Sequence, residues 1–158
     1  MRALGAAAIA VLAIGGLLTG CAGEGGGGRP VTARPSCTTT TEPAISFAMN
    51  IQPIFTRSCA VGGCHDTGSR SQNLDLSVGQ SYGELVEVPS TEQPRLLRVK
   101  PGDPDDSYLV RKLEGGPNIT LAQMPLDCPA PRNGQQCFMD DEIAAIRQWI
   151  SECAPNNQ

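Results

Sequence analysis

Cys59-Ala60-Val61-Gly62-Gly63-Cys64-His65 places two thiols and the chain's single imidazole within seven consecutive residues. The adjacency of Cys64 and His65 matters most, because whatever Cys64 attaches to, the His65 ring lies beside it. Four residues separate the two cysteines, and Gly62-Gly63 has the backbone freedom to bulge outward and bring both sulfurs to a shared partner. Two readings stay open on this heptapeptide alone. The cysteines pair with each other, or both attach to a third group.

The usual c-type haem attachment sequence has two cysteines two residues apart with His directly after the second. Each sulfur forms a thioether with a haem vinyl group, and the His ring ligates iron from the same side. His65 is the only histidine, so a sixth ligand must come from another residue type. Met/His ligation is typical of electron-carrying cytochromes and raises the reduction potential. Met124, in Gln123-Met124-Pro125, sits in a Pro-bounded loop before the last helix and is the expected second ligand. Met49 and Met139 fit helical apolar faces and read as packing residues.

Outward from this motif the periodicity is helical. Phe47, Ile51, Ile54 and Phe55 form one apolar face leading to Cys59, with a kink or two short helices expected at Pro53. Gly68 to Lys100 is loop-rich, with a helical turn or two between Ser81 and Val86 and no alternation that argues for a sheet. Asp103-Pro104-Asp105-Asp106 reads as a helix start with an Asp cap, Pro at the first position and acids in the first turn. Tyr108, Leu109 and Leu113 are its expected buried stripe, and Gly115-Gly116 its stop. Asp140-Asp141-Glu142 opens a last helix whose Ile143, Ile146, Trp149, Ile150 and Cys153 recur at three and four. The fold class is therefore mainly α, three to five helices joined by long loops.

The ends of the chain bear on location. Met1-Arg2 and the apolar Ala3 to Leu18 resemble a secretory signal, too short and too Gly/Ala-rich for a stable membrane span. Leu18-Thr19-Gly20-Cys21 resembles the lipobox of bacterial lipoproteins, which implies cleavage before Cys21 and acylation of it. Residues 1–20 are then a signal peptide, 21–43 the anchor and a Gly-, Pro- and Thr-rich tether, 44–154 the domain and 155–158 a tail. The expected protein is exported and membrane-anchored through lipid, facing the periplasm or cell exterior. A net charge of −4 without a Lys/Arg cluster argues against nucleic acid. One histidine excludes a Ser/His/Asp set, and no phosphate loop, paired-carboxylate or zinc signature is present, so no enzyme is expected.

Ile54-Phe55, Cys59, Cys64-His65, Leu74-Asp75-Leu76, Val99-Lys100-Pro101-Gly102-Asp103-Pro104, Ser107-Tyr108-Leu109-Val110, Lys112-Leu113, Met124-Pro125 and Glu142-Ile143 to Trp149-Ile150 together resemble a cytochrome c-like domain of bacterial lipoproteins. The run is similar to the planctomycete-type cytochrome c group, with the cysteine spacing widened. The resemblance implies a small cytochrome c-like fold around one covalent haem c. It implies thioethers from Cys59 and Cys64, iron ligation by His65 and Met124, and a monomeric domain that exchanges electrons with redox protein partners.

Seven cysteines give an independent check. With Cys21 lipidated and Cys59 and Cys64 occupied, Cys37, Cys128, Cys137 and Cys153 remain, an even set as an oxidising compartment prefers. Cys128 with Cys137 across the Asn133-Gly134 turn, and Cys37 with Cys153, is the favoured pairing of the three that four cysteines allow. Pairing of Cys59 with Cys64 leaves the same four. The alternative function is then a haem-free, disulfide-stabilised binding or structural module on the same scaffold. A copper site built from Cys59, Cys64, His65 and Met124 is a third reading, weakened because an oxidised pair binds no metal.

Overall fold

A computed structural model describes Cys37, residues 44–126 and residues 140–157, all within the unit Ala33–Gln158. Cys21, Cys128, Cys137, Met139 and the Ala3 to Leu18 segment lie outside the described residues, as do the lipidation and the 128–137 bridge expected there.

Pro53 decides how the first helix is built. Proline has no N–H and cannot continue an α-helical ladder from within, but it is tolerated in the first turn. The chain accordingly opens with a wide π turn, Phe47–Ile51, and changes to α1, Gln52–Ser58, with Pro53 in its first turn. Ser46 caps the π turn by accepting from Met49 N at 3.1 Å. Phe47, Ile51, Ile54 and Phe55 are buried as one face. Met49 is not part of it: it is 72% exposed, which corrects its reading as a packing residue. The wide turn shifts the register of the first four residues against that of α1, and the apolar stripe passes Met49 by.

α2 is the short turn Ser81–Leu85. α3 runs Tyr108–Glu114, later than the acidic motif suggests. Asp103 does not cap it; Ser107 holds the cap position and makes no side-chain cap bond. Residues 103–107 form a turn instead, in which Asp106 N donates to Asp103 Oδ1 at 3.2 Å and Ser107 Oγ to Asp103 O at 2.9 Å. The acids serve nearby cations: Lys100 Nζ reaches Asp103 and Asp106 at 2.8 and 2.6 Å, and Arg111 reaches Asp106 at 2.9 Å. Two cations near the carboxylates outweigh the weaker attraction of a helix end. Gly115 closes α3 in the left-handed conformation, φ +72°. α4, Asp140–Ser151, opens on its acids and buries Ile146, Trp149 and Ile150.

The core lies where the π turn, α1, α3 and α4 meet. Phe47 stands 5.2 Å from both Tyr82 and Trp149, ring centre to ring centre, so the few aromatics are concentrated rather than spread. Their polar atoms are matched: Trp149 Nε1 donates to Pro155 O at 3.0 Å and Tyr82 Oη to Ala154 O at 2.9 Å. The residues after Ala154 pack here too, with Asn157 Oδ1 accepting from Phe47 N at 2.8 Å. Cys37 is disulfide-bonded to Cys153, with Cα atoms 5.4 Å apart. No strand forms among the described residues; isolated bridges such as Val86 to Val99 and Leu97 to Ser107 knit the loops onto α2 and α3. Among the described residues the result is a small, mainly helical domain of four α-helices.

Candidate functional site

The Cys59–His65 segment begins as the C-cap of α1, where Cys59 N and Ala60 N both donate to Phe55 O, at 2.9 and 2.8 Å. Cys64 N then closes a turn on Val61 O at 2.9 Å, and His65 N returns to Cys59 O at 3.1 Å. The loop between them bulges outward. A Cβ at Gly62 or Gly63 would meet nothing within 4 Å, and Gly63 has φ +86°, which favours glycine. The four-residue gap is thus absorbed without moving Cys59 and His65 apart.

Beyond His65 the chain doubles back through a left-handed stretch, with φ between +45° and +55° at Arg70, Gln72 and Asn73. Leu76 N donates to His65 O at 2.7 Å, so the His65 backbone is held on both sides. Asp75, fully buried, fastens this return by accepting from Ser77 N at 2.9 Å, while Ser77 Oγ accepts from Thr67 N at 3.1 Å. The Ser77 N–H, followed by Thr67 and Arg70, holds the Asp75 carboxyl below the usual range against the opposing effect of burial.

Cys59 and His65, from the two ends of one segment, and Met124, from another, line one mostly apolar cavity of about 80 Å³, with Leu74, Leu76, Leu109 and Leu113 among its walls. Met124 is fixed there by its N–H, which donates to Lys112 O at 2.8 Å. Cys64 does not line the cavity, though it is partly buried nearby in sequence. Cys59 and Cys64 are both free thiols. Burial, then the Cys64 thiol and the Glu142 carboxylate, push the Cys59 pKa up to about 12, while Arg57 opposes them. Burial also lowers the His65 pKa, with Lys112 and Arg98 adding to it and the Leu74 and Ser71 carbonyls opposing. His65 Nδ1 is buried without a hydrogen-bond partner. An unmatched buried nitrogen is costly to a fold.

Sequence reading missed the cavity's polar side. Lys112 Nζ and Glu92 Oε2 pair at 3.0 Å, and Tyr108 Oη donates to Glu92 at 2.6 Å. The one trace of this in the sequence is Lys112 itself, four residues after Tyr108 and flush with the apolar stripe of α3. Glu92 could not be assigned as its partner because the loop between them has no periodicity. Arg98, also at the wall, is committed elsewhere, to Glu84 O at 2.7 Å and Asn73 O at 3.0 Å.

A larger open groove of about 700 Å³ runs along Phe47, Gln52, Thr56, Arg57 and Tyr82. It holds no sulfur or imidazole, and its buried Gln52 and Ser81 hydrogen-bond to each other. No three side chains drawn from His, Cys, Asp and Glu gather as a metal site among the described residues. Comparison with protein-family models, with curated proteins and with solved structures finds no match to this chain.

Proposed function

We propose that this chain is a membrane-anchored c-type cytochrome that carries electrons on one covalent haem. The observation that carries this reading is the convergence of Cys59, His65 and Met124 on one apolar cavity, with His65 Nδ1 lacking a partner. Cys59 and Cys64 would supply the thioethers, and His65 and Met124 would hold the iron. A bound haem would supply one-electron exchange, with a methionine ligand favouring the reduced state. The residues do the rest. Leu74, Leu76, Leu109 and Leu113 exclude water from the ligands, and the bonds that His65 N donates to Cys59 O and that His65 O accepts from Leu76 N hold the His65 backbone in place.

The free thiols favour this reading over the Cys59–Cys64 disulfide of the haem-free module. At about 80 Å³ the cavity is well below the roughly 300–1,000 Å³ of ordinary ligand pockets, so its walls must part to admit a porphyrin. In this reading the four helices take a cytochrome c-like arrangement, Cys21 is acylated, the domain lies outside the cytoplasm, and redox protein partners bind transiently.

The deciding experiment is expression of the chain in a periplasm equipped with haem-attachment machinery, followed by denaturation and a peroxidase stain. Covalently retained haem is expected, and its absence overturns the reading. A spectrum showing a single thioether would remove Cys59 from the attachment. Met124→Ala should abolish the sulfur-to-iron charge-transfer band and lower the potential; an unchanged spectrum rejects Met124 as ligand.

A further inference from the structure

Lys112 and Glu92 form the one ion pair, among the described residues, in which both side chains are nearly buried, 9% and 7% exposed. Taking two charges out of water costs more than their attraction commonly returns, and a well-packed apolar pair serves a fold as well or better. Such a pair in the wall of an apolar cavity therefore calls for a use other than stability. The two sides of the pair also differ in kind. Lys112 and Tyr108 are one helical turn apart on α3, a rigid element. Tyr108 Oη is further set by Thr120 N at 2.9 Å, and Lys112 Nζ by Thr120 O at 2.9 Å. Glu92 sits on the irregular loop from Ser90 to Leu96. The donors lie on a helix and the carboxylate on a loop.

We propose that Lys112 Nζ and Tyr108 Oη form a carboxylate-binding subsite of the cavity, filled in the ligand-free chain by the chain's own Glu92. An apolar ligand bearing carboxylates would displace Glu92 and with it the Ser90–Leu96 loop that closes the cavity. This rests on the haem reading in naming the ligand class, a tetrapyrrole with carboxylate side arms. The Lys112 carbonyl that holds Met124 N couples the subsite to the expected iron ligand.

The test uses the full chain produced without haem, titrated with ferric protoporphyrin IX and with its dimethyl ester. A second pair of probes, 1-pyrenebutyrate and its methyl ester, contains no iron and no vinyl group. The native chain should bind each acid about threefold tighter than its ester. Glu92→Gln, which removes the competing charge from the subsite without adding volume, should widen that preference about tenfold, roughly 1.4 kcal/mol. Lys112→Met should reduce it to nothing. Equal binding of acid and ester by the native chain overturns the proposal without any variant, and so does failure of every probe to bind. Haem retained in the periplasmic experiment with no acid preference overturns the subsite alone. Acid preference for pyrenebutyrate with no retained haem leaves the subsite standing and removes the haem reading.

Discussion

With its pKa pushed up to about 12, the Cys59 thiol of the haem-free chain is almost wholly protonated at neutral pH. Thiolate is the reactive form, so at pH 8 alkylation of Cys59 should run roughly 10³-fold slower than that of an ordinary thiol with pKa near 8.5. Mass spectrometry after timed iodoacetamide treatment reads this directly, and rapid labelling of Cys59 would contradict the buried placement. The same shift sets a pH dependence. The unfolded thiol ionises near 9.0 and the folded one near 12, so its stabilising contribution is complete below pH 9 and is lost as pH rises towards 12. Denaturation midpoints across that window should fall more steeply for the native chain than for Cys59→Ala. At this scale the sequence singles out Cys59, Cys64, His65 and Met124, of which all but Cys64 line one cavity, and it says little of their state. That burial would suppress the thiol and leave His65 Nδ1 unmatched depends on packing by residues as distant as Glu142, which no local pattern encodes.

At the scale of elements, α3 and the segment after it are joined through Gly115. A Cβ there would lie 2.8 Å from the Gln123 side chain, which itself donates to Leu113 O at 2.7 Å, and the glycine's φ of +72° suits no other side chain well. Gly115→Ala should therefore cost about 1–2 kcal/mol, read as a lowered denaturation midpoint. Because Gln123 precedes Met124, the substitution should also weaken the Met ligation proposed above, read in the charge-transfer band of the chain loaded with haem. The helices themselves were readable from periodicity: the stripe through Phe47 and Ile54, the stop at Gly115, the face of α4 carrying Ile146 and Trp149. The start of α3 was not. Asp103-Pro104 has the composition of a cap, but Lys100 and Arg111 are closer claimants on those carboxylates, and the helix begins at Tyr108. The left-handed return at Arg70, Gln72 and Asn73 was equally hidden, since none of these is glycine and the conformation is imposed by the closure of Leu76 onto His65.

At the scale of the whole molecule the Cys37–Cys153 bond is the longest-range constraint among the described residues, spanning 116 residues. Cross-linking a loop of about 100 residues removes enough chain entropy from the unfolded state to stabilise by up to about 4.7 kcal/mol, though measured values are more often 2–4. Cys153→Ser should lower unfolding free energy by about 2–4 kcal/mol in chemical denaturation, and reduction of the native protein should match it. This pairing was accessible from sequence because Cys153 continues the apolar face of α4 and Cys37 lies just upstream of the domain. The polar wall formed by Lys112, Tyr108 and Glu92 was not, because it assembles only when a helix and a loop with no pattern of its own come together.

That bond also decides where force enters the fold. On the proposed anchoring at Cys21, a pull on the domain from its N-terminal side meets the disulfide first. The bond hands the load to Cys153, beside Ala154 and Pro155, where Tyr82 and Trp149 grip the backbone. With the bond cut, the same pull would arrive at Ile45 and Phe47 and strip their hydrogen bonds to Asn157 one after another, like a zip opened from its end. The disulfide is in this sense a strain relief, moving tension from a seam that peels to a point that must shear.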